Sequence, residues 1–395
     1  MSDQVNLKKV VFVWPQEPWK PTSLFKHIVY LGETAGYISR YADVEVYDFS
    51  VTQMLKRDMY EILRKADYLF IPIEAYTAVA AVRLAHLAKT TEKTYVVAYG
   101  TVAAMNPKLL SYYFDAVIAT GHWYNALKEL ILDQEAFTRK LQGNIYYLAK
   151  HMEDRWAYPL FDKMPLDEYQ KIMNGQLDIG IQIGCVFNCS FCAEKRMIPE
   201  NKIYHRSPQD IYEFVRDNPS PIYYLDATTF SYDKEWAYEV CDLLSTINPL
   251  PKWRTVTRVD MIDRDMIRAM KKAGCFKIGF GIETLAPSLQ KSINKLFNEK
   301  KLIENLQMVK EEGIIPRCFL ILGIPGQTAE EVRYTNDIMK NLGMEYRWKE
   351  YVPFEIIPTF KDIREFEMFE RNSYFMHDVK GLSKEEYIDL LAVSR

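Results

Sequence analysis

The sequence predicts an α/β protein in which an N-terminal doubly wound domain with a parallel sheet precedes a partial (β/α)6 barrel. Three observations support this. Continuous apolar runs rich in Val, Ile and aromatic residues alternate with segments of helical periodicity, the pattern of parallel strands covered on both faces. The 395 residues exceed what one ordinary core fills. The texture changes near residue 136, dividing the runs into two series.

In the first series Val10–Trp14, Val44–Phe49, Tyr68–Ile73, Tyr95–Gly100 and Ala116–Ala119 read as five strands. Amphipathic segments at 24–41, 52–66, 77–90 and 123–134 lie between and after them, which defines a domain over residues 1–135. Such domains bind ligands beyond the carboxyl ends of their strands. Over 136–176 the periodicity weakens and Pro159 and Pro165 interrupt it, so this stretch reads as a partly helical connector.

The second series occupies 177–357, with strands expected at Leu177–Cys185, Pro221–Ala227, Lys252–Arg258, Phe276–Glu283, Ile315–Gly323 and Arg347–Ile356. Their spacing is about 30 residues, that of a strand plus its crossover helix. Asp263 can cap a helix that Gly274 ends, and Thr328 with Glu331 has the spacing of a capping box. Six units instead of eight leave a barrel open, with its functional face at the carboxyl ends of the strands. The tail, 358–395, carries Phe360, Phe366, Met368, Phe369, Tyr374, Phe375 and Met376 and reads as a helical cap packed over the open barrel.

Charge and hydropathy exclude several functions. Fifty Lys and Arg against 53 Asp and Glu leave a net charge of −3, too little field to hold a nucleic acid. The longest apolar runs, such as Cys318–Pro325, fall short of the roughly 20 residues of a membrane helix. The polar start, Met1–Lys9, is unlike a signal peptide. A soluble, cytoplasmic protein is expected, and in a reducing compartment its six cysteines read as thiols.

Those cysteines are unevenly distributed. The first 184 residues have none, and Cys185, Cys189 and Cys192 then fall within eight positions, directly after the first strand of the second series. Three thiolates on one loop can converge on a metal centre, and soft sulfur favours iron–sulfur clusters, zinc or copper. Structural zinc wants a fourth ligand, and no nearby Cys or His has finger-like spacing. A 4Fe–4S cluster held by three cysteines keeps one iron open to an exogenous ligand. Cys241, Cys275 and Cys318 are scattered and read as buried structural thiols.

The motif Cys185-Val-Phe-Asn-Cys189-Ser-Phe-Cys192, at the head of a partial barrel over 177–357, resembles the radical S-adenosylmethionine (SAM) superfamily. The resemblance implies a 4Fe–4S cluster on these cysteines, SAM chelated to the open iron, and an electron donor such as flavodoxin or ferredoxin. It places Asp226, which ends the second strand, near the SAM amine, although the run is Leu-Asp-Ala where many members have Gly-Gly-Glu. Arg258 is placed for the SAM carboxylate, with Asp260 or Asp263 as a competing ion-pair partner. Glu283 is placed for the ribose hydroxyls, and the turn holding Gly323 and Gly326 for close approach of adenine.

A doubly wound, Rossmann-like domain ahead of such a barrel resembles the cobalamin-binding subfamily. Tyr99-Gly100-Thr101 and Thr120-Gly121-His122 stand where that family has glycine-rich turns beside the cobalamin nucleotide tail, and Glu74, Tyr76 and Thr77 would face the lower side of the corrin. No Asp-x-His-x-x-Gly run occurs, so no lower axial ligand is nominated. His27, His86 and His122 read as surface or core residues, and His122 stands nearest the tail. The implied reaction is methylation of an unactivated carbon of a small molecule or peptide. One SAM would methylate cobalamin, and a second, cleaved at the cluster, would generate the substrate radical that takes the methyl group. Two alternatives stand beside it: a non-methylating rearrangement or cyclisation with the same cofactors, and a non-catalytic structural-zinc protein with a binding module.

Overall fold

The computed structural model describes residues 7–16, 26–148, 150–372 and 379–392. The chain forms two compact units: Met1–Asn174 with Arg196–Pro199 and Phe354–Glu370, and Gly175–Lys195 with Glu200–Pro353 and Arg371–Arg395. Sequence periodicity gave a linear division. The short returns at 196–199 and 354–370 carry no periodic signal that would assign them.

The first unit is built on β1 (Lys9–Trp14), β2 (Asp43–Asp48), β3 (Tyr68–Pro72), β4 (Tyr95–Tyr99), β5 (Ala116–Ile118) and β6 (Ile145–Tyr146). They pair in parallel in the order β2-β1-β3-β4-β5-β6. Val10, Val11, Phe12 and Val13 are all fully buried, as a central strand with both faces covered requires. The order reverses at β1 and β3, which makes their carboxyl ends the topological switch point of the sheet. The sixth strand lies in the stretch read as connector, because two residues are too short to show a period. That stretch also supplies the helix Leu166–Met173.

Tyr169 on this helix is buried and donates to Asp48 Oδ2 at 2.6 Å. Asp48 also accepts from Ser50 N and Oγ and meets His27 Nδ1 at 2.7 Å, while the His27 ring stacks on Trp14. Burial pushes the Asp48 carboxyl up, but His27 and these hydrogen bonds outweigh it and hold it below the usual carboxylate range. His27 is thus a core residue that organises the end of β2. Phe354–Glu370 adds Phe360, Phe366 and Phe369 to the first unit, edge to face, with Phe369 stacked on Tyr76. These aromatics, expected to cap the second series, pack on one another and on Tyr76 within the first unit. Apolar composition announces burial but not the surface that provides it. Met368 is exposed, and Tyr374, Phe375 and Met376 lie outside the described residues.

The second unit contains β7 (Gln176–Gly180), β8 (Gln182–Ile183), β9 (Tyr204–His205), β10 (Ile222–Asp226), β11 (Trp253–Thr257), β12 (Cys275–Glu283), β13 (Ile315–Leu322) and β14 (Glu345–Glu350). Six of them form an all-parallel sheet in the order β14-β13-β12-β11-β10-β7, and β8 pairs antiparallel with β9. Sequential order with right-handed crossovers puts the connecting helices on one face. The side chains agree. Tyr223 donates to Val215 O and Asn218 O, Trp253 Nε1 to Ala273 O, and Tyr346 and Trp348 to Asn336 Oδ1, all toward helices. Their alternates, Tyr224, Arg254, Glu345, Arg347 and Lys349, occupy the helix-free face.

Two strand limits differ from expectation. β7 stops at Gly180, where the chain turns into the β8–β9 ribbon. β14 spans 345–350 and not 347–356, because the mixed Glu-Tyr-Arg-Trp-Lys-Glu alternation hides the strand behind the more apolar residues that follow. The expected caps form: Asp263 accepts from Met266 N, Gly274 has φ +93°, and Thr328 and Glu331 make a reciprocal capping box. Among the described residues no helix is long and apolar enough to cross a membrane.

Candidate functional site

The loop after β7 and β8 carries Cys185, Cys189 and Cys192, all free thiols and partly exposed. It is pinned at several points. Gly184 N donates to Glu194 Oε1 at 2.5 Å, Ser190 N to Ile293 O at 3.1 Å, and Asn294 Nδ2 to Asn188 O at 2.7 Å. Phe191 packs on an apolar pad of Ala286, Leu289, Ile293, Ile321, Ile324 and Tyr351. Burial pushes all three thiols up, Cys192 to about 12, and each feels a neighbouring cysteine or acidic charge that adds to this. Lys295 and Arg258 oppose the shift at Cys189. Among the described residues no trio of Cys, His, Asp or Glu stands at the spacing of a formed metal site, so the fit rests on donor chemistry: three soft sulfurs on one short, tethered loop beside two cations.

The other expected residues of this unit stand at the carboxyl ends of successive strands. Asp226 ends β10, with its side chain in hydrogen-bonding reach of Tyr224. Arg258 follows β11; it forks onto Asp260 at 3.0 and 2.8 Å and lies 4.0 Å from the Phe187 ring centroid. The competing ion pair is therefore made, with Asp260 and not Asp263. Glu283 ends β12 with φ +64°, and its Oε1 accepts from Lys295 Nζ at 2.8 Å, both side chains under one-tenth exposed. Gly281 makes room for that pair, since a Cβ there would lie 2.4 Å from Glu283 Oε1. Gly323 and Gly326 have φ +88° and +83°, and the turn they bracket is locked by the buried Gln327, whose Oε1 accepts from Gly323 N.

Sequence reasoning passed over Lys295, Asn294 and Gln327. Each acts on a neighbour far from it in type or sequence, and none belongs to a motif. Glu283 followed twelve positions later by a lysine was the one available signal for the pair, and it is too common to single out.

Asp178 on β7 was also passed over. It is fully buried, accepts from Gln176 Nε2 through Oδ1, and has no partner at Oδ2 among the described residues. Burial raises its carboxyl from 3.8 to about 7 against the pull of Gln176 and Arg254. The folded state thus holds a proton that the unfolded chain releases near pH 4, and this contribution to stability falls as pH rises from about 4 through about 7. Asp178→Asn is expected to gain stability on the wild type at about pH 8 and to differ little near pH 4, which urea unfolding at the two values checks.

In the first unit Glu74, Thr77, Gly100 and Thr101 come together beyond β3 and β4. Glu74 accepts from Thr101 N and Oγ1 at 3.2 and 2.6 Å and pairs with Lys26, while Thr77 Oγ1 bonds the Glu74 backbone. Gly100 has φ +98°, and a Cβ there would press on Ile73 N at 3.1 Å. Tyr76 is turned onto Phe369. The Gly121 turn is filled: Met197 O accepts from Gly121 N at 3.0 Å, and a Cβ on Gly121 would meet Ile198 at 2.7 Å. His122 is buried, with its ring 5.5 Å from that of His151.

A doubly wound unit, and a parallel sheet whose first strand leads into a loop of three cysteines, are the features to compare with known proteins. The model of the Radical SAM superfamily matches residues 179–338, from β7 into the helix after β13, and domains of that superfamily take a 4Fe–4S cluster and SAM. The chain is 26% identical to an uncharacterized methyltransferase of Pyrococcus horikoshii over 352 residues, 80% of this chain and 73% of the other. It is 24% identical over 199 residues, 48% of this chain and 36% of the other, to the anaerobic magnesium-protoporphyrin IX monomethyl ester cyclase of Rubrivivax gelatinosus. Its fold resembles that of the radical SAM methyltransferase TsrM from Kitasatospora setae, solved with tryptophan and a SAM analogue (TM-score 0.66, 16% identity, 88% of this chain and 75% of that one). It also resembles the cobalamin-dependent radical enzyme OxsB with aqua-cobalamin bound (TM-score 0.67, 15% identity, 93% of this chain and 56% of that one).

Proposed function

We propose that the protein is a cobalamin-dependent radical SAM methyltransferase that methylates an unactivated carbon of a small-molecule or peptide substrate. The observation that carries this reading is the tethered loop of Cys185, Cys189 and Cys192 inside a radical SAM domain, in a chain whose doubly wound first unit extends the likeness to cobalamin-bound folds. When bound, the cluster supplies the electron that cleaves SAM, and cobalamin supplies the methyl carrier.

The chain's own residues hold and shield these groups. The three cysteines ligate the cluster. Asp226 accepts from the SAM amine, and Arg258 reaches the SAM carboxylate when it exchanges Asp260 for it. Glu283, oriented by Lys295, accepts from the ribose hydroxyls, and the Gly323–Gly326 turn leaves backbone free for adenine. In the first unit Glu74, Tyr76 and Thr77 would face the lower side of the corrin, and the Gly100–Thr101 turn would lie beside its nucleotide tail. Gly121 and His122, whose turn Met197 and Ile198 fill, take the nucleotide tail only if that segment moves. A flavodoxin- or ferredoxin-like donor delivers the electron.

Anaerobic reconstitution with iron, sulfide and cobalamin tests the reading. Bound cobalt, with 5′-deoxyadenosine and S-adenosylhomocysteine formed together under turnover, is the expected result. 5′-Deoxyadenosine without S-adenosylhomocysteine would favour the non-methylating alternative, which the partial likeness to a cyclase keeps in view. A colourless protein with one zinc and no iron would end the radical reading altogether.

A further inference from the structure

The helix-free face of the second sheet carries a row of cations. On it Arg317 stands beside Glu345, Phe319 beside Arg347 and Ile321 beside Lys349, in parallel register. Glu345 is the acid of this row, and it is already shared: Lys277 reaches it at 2.8 Å and Arg317 at 3.3 Å. Arg347, two residues further on, is half-buried, and its side chain makes no hydrogen bond or ion pair among the described residues. Burial, and after it the like charge of Arg317, lowers its pKa. A partly desolvated guanidinium beside another is costly unless an anion completes it.

An apolar track starts at the same place. The Phe319 ring lies over Gly279, where a Cβ would come within 2.7 Å of it, and Lys349 Nζ stands 5.1 Å from the ring centroid. Ile321, next on this face, packs in the cluster that supports Phe191, between Cys189 and Cys192. The track thus runs from the cations to the cysteine loop.

We propose that Arg347, with Arg317, binds the carboxylate or phosphate of an anionic substrate whose apolar body lies along Phe319 and Ile321 toward the cysteine loop. Calling this ligand the substrate rests on the methyltransferase reading; the anion site itself does not. A guanidinium fork suits both oxyanions, since each offers two acceptor oxygens in one plane.

Isothermal titration of the anaerobically reconstituted full chain with 3-phenylpropanoate, 3-phenylpropyl phosphate and 3-phenylpropanamide tests the site. At least one anion is expected to bind about tenfold or more tighter than the amide, and the tighter anion identifies the headgroup. Arg347→Gln is expected to erase that preference without weakening the amide, and Arg347→Lys to keep part of it. Equal binding of anions and amide, no binding of any probe at millimolar concentration, or an unchanged preference in Arg347→Gln overturns the proposal. Substrate-free cleavage of SAM is expected to be the same in Arg347→Gln as in the wild type, and its loss would move Arg347 to the SAM site and overturn the proposal. A wild type that cleaves no SAM yet keeps the anion preference would overturn the methyltransferase reading and support the anion site.

Discussion

Alanine at any one of Cys185, Cys189 and Cys192 is expected to abolish the iron–sulfur centre of the reconstituted protein and lower SAM cleavage by more than about 10³-fold, because the cofactor and not a side chain supplies the chemistry. Three sulfurs is the smallest set that can hold such a cluster and leave one iron free, so no partial retention is expected from two. Alanine at Cys241, Cys275 or Cys318 gives the contrast. These thiols are buried, with their pKa values raised by that burial. Their loss is expected to cost stability through small cavities, while iron content stays at the wild-type level. Iron and sulfide analysis of the six variants, with 5′-deoxyadenosine release, separates the two sets. Equal iron in Cys189→Ala and Cys275→Ala would remove the assignment of the loop.

The same contrast shows what the sequence makes legible. The cysteine loop could be read because three rare residues share eight positions, and β1, β3 and β4 because a strand buried on both faces must be apolar throughout. Thr328 and Glu331 could be read because a capping box is local chemistry. What stayed hidden depends on long-range approach or on short elements. The two residues of β6 have no period, and Glu345–Glu350 alternates charged with aromatic residues because its helix-free face is polar. The cation row on that face became visible only when β13 and β14 were in register. Tyr169, 121 positions from Asp48, donates to it through a fold that no spacing rule anticipates.

The buried pair of Glu283 and Lys295 yields the second large effect. Lys295→Met removes the cation and leaves the Glu283 carboxylate under one-tenth exposed, at a residue whose φ of +64° already departs from ordinary backbone. Breaking one side of a buried pair costs about 3–5 kcal/mol, because the remaining charge is neither solvated nor neutralised. Lys295→Met is therefore expected to lower the urea midpoint of the apoprotein sharply, whereas Glu283→Gln/Lys295→Met, which leaves no buried charge, should recover most of that loss. The double variant then isolates function from folding. Lys295 opposes the burial-driven rise at Cys189, and Glu283 ends the strand proposed to face the SAM ribose. A stable double variant should assemble the cluster yet require a higher SAM concentration and show a slightly lower cluster midpoint potential in an EPR redox titration, since Lys295 acts on Cys189 more strongly than the opposing Glu283 and a net positive influence favours the more negative, reduced cluster. Recovery of stability together with unchanged SAM affinity and potential would leave the pair a purely structural clamp on the end of β12.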